Sequence, residues 1–381
     1  LNKGNELRVP ISGQVIDECE KEAAIRVVKS GQFTSYKLSE QFEHEFAQYV
    51  GKRYGVFVNS GSSANLLAVS AYDRLYKIPY FWITPGLSFP TTINPLIQTN
   101  KNIVLQDVDL DTLLCNPVDG RAETFPFYGA MTLGNYYSDY AIEDSCDAMF
   151  PGKYTGLMQT FSFFPAHHMT TGEGGMITTD DPQLYKTLRS LRDWGRDCWC
   201  LPGHDNTCGH RFDNGDHKYT YSNIGYNLKA TEIQAAIGIE QLKKLPAFTE
   251  TRIRNFKHLY EGMKRFERYF ILPKSVLPDT PWFGFPLTLR DGVEFTRKDI
   301  MLFLHNKGVG SRVIFGGNIT KQPAYKDVNF IIDEPLTNCD KIHNDSFWVG
   351  SWHGLNFEQL DYTVSMIGEF LNRVDIVRYG G

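Results

Sequence analysis

The chain has 381 residues, a formal net charge of −5 and a sequence pI near 6.1. With 42% hydrophobic and 22% charged residues it has the balance of a soluble globular protein, long enough for two domains and a sizeable core. No long basic run is present, which argues against nucleic acid or an anionic membrane as a partner.

The opening residues, Leu1 to Asn5, hold no apolar leader core, and no apolar stretch is long enough to span a bilayer, so a cytoplasmic location is expected. Leu38, Phe42, Phe46 and Tyr49 recur at helical intervals and predict a helix that ends at Gly51. Tyr54 to Asn59 reads as a buried strand running into Ser60-Gly61-Ser62-Ser63-Ala64-Asn65, which opens a helix. A strand, a small-residue turn and a helix N-terminus form a phosphate cradle, because free backbone N–H groups point at the anion. Small residues at a helix start are also ordinary capping, so this feature alone assigns nothing.

Strand-like and helical runs then alternate. Ile103 to Leu105 precedes Asp107-Val108-Asp109, Tyr140 to Ile142 leads into Glu143-Asp144, and Gly174 to Thr179 follows a histidine-containing loop. This alternation predicts an α/β domain with a mostly parallel sheet and ligands at the strand ends. Thr231-Glu232-Ile233-Gln234 is a capping box that starts a helix expected to stop at Pro246. A second helix, with Ile253, Phe256, Tyr260, Met263 and Phe266 on one face, is expected to lead into a smaller α/β domain. That divides the chain into a large cofactor-binding domain, 1–246, and a small C-terminal domain, 247–381.

Seven cysteines occur, at positions 19, 115, 146, 198, 200, 208 and 339; an odd number in a cytoplasmic chain argues against a disulfide framework. Cys198, Cys200 and Cys208 are separated by one and seven residues, and Cys146 precedes them. Thiolates are the usual ligands of iron–sulfur clusters, but this spacing is not that of common ferredoxins; tetrathiolate zinc usually uses pairs two to four residues apart, which Cys-x-Cys fits poorly. Cys19, Cys115 and Cys339 read as ordinary buried thiols.

Four segments are distinctive: Phe161-Ser162-Phe163-Phe164-Pro165-Ala166-His167-His168-Met169-Thr170-Thr171-Gly172-Glu173-Gly174-Gly175; Arg192 to Cys200; His217 to Thr231; and Gly316-Gly317-Asn318. In them the chain resembles the DegT/DnrJ/EryC1/StrS family of pyridoxal-phosphate (PLP) sugar enzymes. Within that family it is most similar to the iron–sulfur 3-dehydratases of 3,6-dideoxyhexose biosynthesis, which act on CDP-4-keto-6-deoxy-D-glucose. The resemblance runs from about Gly31 to the C-terminus and implies the fold-type I PLP-transferase architecture. It departs from the family pattern in a shorter segment between Asn116 and Tyr140 and in trimmed loops after Cys146 and between Phe212 and His217.

The resemblance also carries site residues. His167 stands where the aminotransferases have their lysine. A lysine amine forms a Schiff base, whereas an imidazole moves protons near neutral pH. The family implies that pyridoxamine phosphate (PMP) is held non-covalently and that His167 is the base that takes a proton from it, so that the sugar loses its 3-hydroxyl. By the same resemblance Asp144 faces the pyridinium nitrogen, Asp147 the ring hydroxyl and Phe89 the ring face. Gly61, Ser62 and Ser162 face the phosphate. Asn227 reaches the phosphate of the neighbouring subunit, which implies a homodimer. Cys146, Cys198, Cys200 and Cys208 match the [2Fe–2S] ligand set. Nothing resembles a nicotinamide or flavin fingerprint, so electrons are expected from a separate NADH-dependent flavin and iron–sulfur reductase. The competing readings are a cluster-free PMP dehydratase, which leaves the cysteines without a role; a sugar aminotransferase, against which the absent lysine speaks; and a binding protein that kept the fold without catalysis.

Overall fold

A computed structural model describes residues 8–76, 81–114, 141–149, 151–152, 154, 156–198, 200, 206, 208–213, 216–274, 279–332 and 334–379. The shortened segment between Asn116 and Tyr140, Cys115 and Trp199 lie outside the described residues.

Helix α1 (Glu18–Ser30) starts at a capping box on Asp17, and α2 (Lys37–Tyr49) follows it. Strand β1 (Tyr54–Val58) then feeds α3 (Gly61–Tyr76) through a two-residue turn. Next come β2 (Trp82–Pro85), α4 (Pro90–Gln98) and β3 (Ile103–Gln106). The strands β4 (Ile142–Asp144), β5 (Met158–Ser162) and β6 (Gly175–Thr179) lead to α5 (Pro182–Arg192). Beyond the cysteine-rich loop lies α6 (Glu232–Met263), whose predicted capping box on Thr231 is present. The C-terminal part contributes β7 (Phe270–Ile271), β8 (Gly284–Leu289), α7 (Arg297–Asn306), β9 (Ser311–Val313), β10 (Phe330–Ile332), α8 (Thr337–Asp345), β11 (Ser346–Gly350) and α9 (Phe357–Tyr379).

Among the described residues three sheets form, in the orders β1-β6-β5-β4, β10-β3-β2 and β7-β8-β11-β9. In the first, β4 and β5 are parallel and β6 runs against both β5 and β1; the second is parallel throughout and the third antiparallel. Every residue of β5 and β6 is buried, as expected of strands covered on both faces. The register pairs Ser162 and Val58 with the same residue, Gly175, so the ends of β1 and β5 meet at one edge. Ligands of α/β sheets gather at such strand ends.

A cluster of aromatic side chains packs around β1 and β5. Phe42 and Phe46 of α2 meet Phe57, Phe161 and Phe163, with Phe42–Phe57 and Phe46–Phe161 centroids 5.0 Å apart in edge-on geometry. Each buried ring removes a large apolar area from water, about 1.5–3 kcal/mol apiece. A buried ion network locks the same layer: Glu43 takes Arg192 at 2.7 Å and Arg189 at 3.2 Å.

One predicted boundary is corrected. Patterning around Pro246 predicted two helices, but α6 passes through it as a single 32-residue helix. Proline inside a helix costs about 3 kcal/mol through a lost hydrogen bond and crowding of the preceding turn. Burial of Leu242, Leu245, Thr249 and Arg252 on either side offsets that cost. The expected division between residues 246 and 247 therefore falls inside α6. In addition β10, from the C-terminal part, pairs with β3. No helix among the described residues is long and apolar enough to cross a membrane.

Candidate functional site

The ends of β1 and β5 bring two of the predicted cofactor residues, Gly61 and Ser162, together. Gly61, the first residue of α3, lies so close to β5 that a Cβ there would fall 2.6 Å from the Ser162 Cβ and 3.1 Å from the Cys146 Sγ. Only glycine leaves this approach open, beside the backbone N–H groups of a helix start. Ser62 is exposed on the first turn and donates to the Thr91 hydroxyl at 3.0 Å. Ser162 is nearly buried at the end of β5.

Asp144 ends β4. Its Oδ2 accepts from the Thr92 hydroxyl at 2.7 Å and the Asn65 amide at 2.9 Å, while the Cys146 N–H approaches Oδ1 at 3.3 Å. Burial pushes this carboxyl above its ordinary range, and hydrogen bonds from Cys146, Thr92 and Asn65 work in the opposite direction. A carboxylate held at this strand end is the kind of group that pairs with a protonated ring nitrogen.

The histidine loop between β5 and β6 is stapled along its length. Thr171 N–H and the Thr170 hydroxyl both donate to the Phe163 carbonyl, and Gly172 turns the chain at φ +84°. His168 is fully buried, and its Nε2 donates to the Pro281 carbonyl at 2.6 Å. His167 is oriented differently. Its Nδ1 stands 3.2 Å from Asp147 Oδ1, and neither atom makes a well-aligned hydrogen bond. The other side of the imidazole meets Phe283, with centroids 5.3 Å apart. Phe283 continues a row of rings through Phe315 to Phe89, which is about half exposed at the N-cap of α4.

Asn227 is exposed in the loop that follows the cysteines, and its side chain accepts from Lys229 Nζ at 2.6 Å. Ile224, three residues before it, is 99% exposed, and Tyr219 and Tyr221 are also largely exposed.

The cysteines divide. The ligand atoms of Cys198, Cys200, Cys208 and His217 lie within 4.8 Å of one another. Cys208 N–H points at the Cys200 Sγ (3.4 Å), and the His217 Nε2 is 3.3 Å from the Cys208 Sγ. Burial, with Cys200 and Cys208 adding to it, leaves the Cys198 thiol pushed up to about 11. Cys146 is not in this group. It follows Asp144 by two residues and faces Gly61 at the cradle, where burial and then the charge of Asp144 push its thiol well above its ordinary range. Cys339 is buried as expected, whereas Cys19 is exposed.

A family model for the DegT/DnrJ/EryC1/StrS aminotransferase family matches residues 14–126 and 130–368. The chain belongs to this family. Over 94% of its length it is 39% identical to a Saccharopolyspora spinosa protein named dTDP-4-dehydro-2,6-dideoxy-D-glucose 3-dehydratase, of which it covers 86%. It is 38% identical over 95% of its length to the lipopolysaccharide biosynthesis protein RfbH of Salmonella typhimurium, covering 91% of that protein. Among solved structures it is similar to GDP-4-keto-6-deoxy-D-mannose-3-dehydratase of Escherichia coli with bound hydrated PLP. There the TM-score is 0.84 at 26% identity, over 95% of this chain and all of the other.

Against a family that uses PLP, the residues present fit the cofactor: a helix-start cradle that a Cβ would fill, a buried carboxylate, and a histidine in the loop between β5 and β6. Two features escaped the sequence. Asp147, expected at the ring hydroxyl, stands beside His167, a contact between residues twenty apart that spacing cannot reveal. His217 joins the three cysteines. Its only sequence signal was its place at the head of the His217 to Thr231 segment.

Proposed function

We propose that this chain is a PMP-dependent 3-dehydratase of a nucleoside-diphosphate 4-keto-6-deoxyhexose, assisted by an iron–sulfur centre at Cys198, Cys200 and Cys208. The observation that carries the reading is the pairing of His167 with Asp147 beside Asp144 and the Gly61–Ser162 cradle. The relatives named as 3-dehydratases support the reaction class.

Gly61, Ser62 and Ser162 would hold the cofactor phosphate, Phe89 would cover the ring and Asp144 would pair with its nitrogen. Bound there, the ring supplies an electron sink and an activated carbon acid. The chain's own residues do the rest. With Nδ1 facing Asp147, Nε2 of His167 is the nitrogen left to take up a proton, and Asp147 steadies the imidazolium that results. No lysine shares the loop from Phe161 to Gly175, so the carbonyl chemistry that would restart transamination has no amine there.

Three thiols and an imidazole within 4.8 Å suit a metal centre with sulfur and nitrogen donors. An iron–sulfur centre would accept electrons one at a time from a separate NADH-dependent flavin and iron–sulfur reductase. Exposed Ile224, Tyr219 and Tyr221 near Asn227 support a homodimer in which Asn227 completes the neighbouring cradle.

The test has two parts. Anaerobically reconstituted protein is assayed for iron and acid-labile sulfide, with about two of each per chain expected. The PMP form is then offered the CDP-, dTDP- and GDP-linked 4-keto-6-deoxyhexoses, with CDP expected to react best. Exchange of the cofactor methylene hydrogen with solvent is the readout. Absence of exchange with all three sinks the dehydratase reading; exchange without iron supports the cluster-free alternative.

A further inference from the structure

Arg252, in the middle of α6, is fully buried and among the described residues pairs with no carboxylate. Its guanidinium instead gathers four main-chain carbonyls. Nη1 donates to Trp282 and Phe283 at 3.3 and 3.1 Å, and Nη2 donates to Ala166 and His167 at 3.5 and 2.9 Å. One pair belongs to the loop that carries His167. The other belongs to the segment whose Phe283 ring rests against the His167 imidazole. The preceding carbonyl, that of Pro281, receives the His168 Nε2. Three consecutive carbonyls, 281 to 283, are thus tied to the histidine loop, one directly and two through Arg252.

We propose that Arg252 is a positioning residue that sets His167 between Asp147 and Phe283 by clamping both walls of its seat. The proposal rests on the reading of His167 as the base. Physically, a guanidinium suits the task because its donors form a planar fork that engages two carbonyl pairs at once, which a lysine's compact ammonium cannot. Burial lowers this group to about 9, with Asp147 opposing, so it remains charged at neutral pH. A charge kept in so dry a place is costly unless hydrogen bonds offset it, and with Nε unbonded among the described residues the Nη bonds carry that load, so the carbonyls they hold have little freedom to move.

The test is Arg252→Lys. In the PMP-loaded protein, with whichever nucleotide sugar gives turnover above, kcat for methylene exchange is expected to fall about a hundredfold. KM and PMP affinity should stay within a few-fold, because Gly61, Ser162 and Asp144 are untouched. In a His167→Asn background the same substitution should cost nothing more, since its effect passes through His167. In cofactor-free protein, amide exchange should quicken in peptides covering 163–172 and 279–285 but not in β1. Unchanged kcat with intact loop protection would overturn the proposal. So would an equal further loss in the His167→Asn background. If Arg252→Lys does not accumulate as folded protein, His168→Gln tests the clamp from its other tie. It should lower kcat about tenfold at constant KM, and no change in kcat would count against the clamp. Undiminished exchange in His167→Asn alone would refute the base assignment while leaving the amide-exchange result to stand on its own.

Discussion

The histidine pocket and the cysteine-rich loop are built on different principles. Around His167, regular elements from both ends of the chain converge: β4, β5, the start of α3, α6 and the segment leading into β8. Its polar groups are held by neighbouring main chain, and the His167–Asp147 pair is largely shielded from water. Around Cys208 the chain forms turns, a short 3-10 segment from His217 to Tyr219 and isolated bridges such as Arg196–Tyr221. Its donors are half-buried, and burial pushes the Cys198 thiol up to about 11. The first region is preorganised by the fold. The second gathers its donors on irregular backbone, and a metal bound there must displace the proton of Cys198.

The largest effect should come from the pocket. His167→Asn keeps the size of the side chain and removes the base, so substrate-dependent methylene exchange should fall about 10²–10⁴-fold while PMP still binds. Exchange at the wild-type rate would move the base elsewhere and dissolve the contrast between a working pocket and an inert one.

Cys208→Ser is the matching break in the loop. Reconstituted iron should drop from about two per chain toward zero, with PMP binding unchanged. The fourth donor sharpens this. On the geometry described, His217→Ala also releases iron and Cys146→Ser leaves it in place. The reverse outcome would show that Cys146 leaves the cradle for the cluster when iron is present. The loop should also show its dependence on protons. Below about 11 the Cys198 thiol is protonated, so binding of cobalt(II) must release protons and its affinity must rise with pH. An affinity flat between pH 6 and 8 would mean that thiolates are already formed.

Asp144→Asn should act more mildly, weakening PMP retention about ten- to a hundredfold by replacing a charged hydrogen bond with a neutral one. Iron content should not follow. If iron falls with PMP, the two regions are one cooperative unit through Cys146, two residues away.

How much of this was legible in the sequence depended on the range of the interaction. The capping box on Thr231, the α2 periodicity and the β1-to-α3 turn are local, and each formed as predicted. Pro246 misled because its local cost is offset by tertiary burial along α6 that no window of residues reveals. The histidine loop was legible because an entire motif differs at one position. The Asp147–His167 contact and the four carbonyls on Arg252 were not, since each joins residues brought together only by the packing of strands on helix. The cysteines pointed to a metal centre through the family resemblance, but His217 carries no spacing rule that would have nominated it.

The smallest prediction is the most demanding test of the pocket's preorganisation. Ser162 sits at the end of a fully buried strand, and among the described residues its Oγ takes one long contact, 3.4 Å, from the Phe164 N–H. Ser162→Ala therefore removes a donor to the phosphate without leaving a buried partner stranded. A single hydrogen bond of this kind contributes about 0.5–1.5 kcal/mol, so PMP should bind a few-fold to tenfold more weakly, with kcat at saturation and iron content both unchanged. Gly61→Ala, by contrast, drives a Cβ to within 2.6 Å of the Ser162 Cβ and must distort the turn itself. The pocket is preformed if the hydroxyl deletion is mild and the added methyl is severe. Equal effects from the two would mean that the phosphate is held by a turn that forms around it, and the cradle would then belong with the cysteine loop as a site its ligand completes.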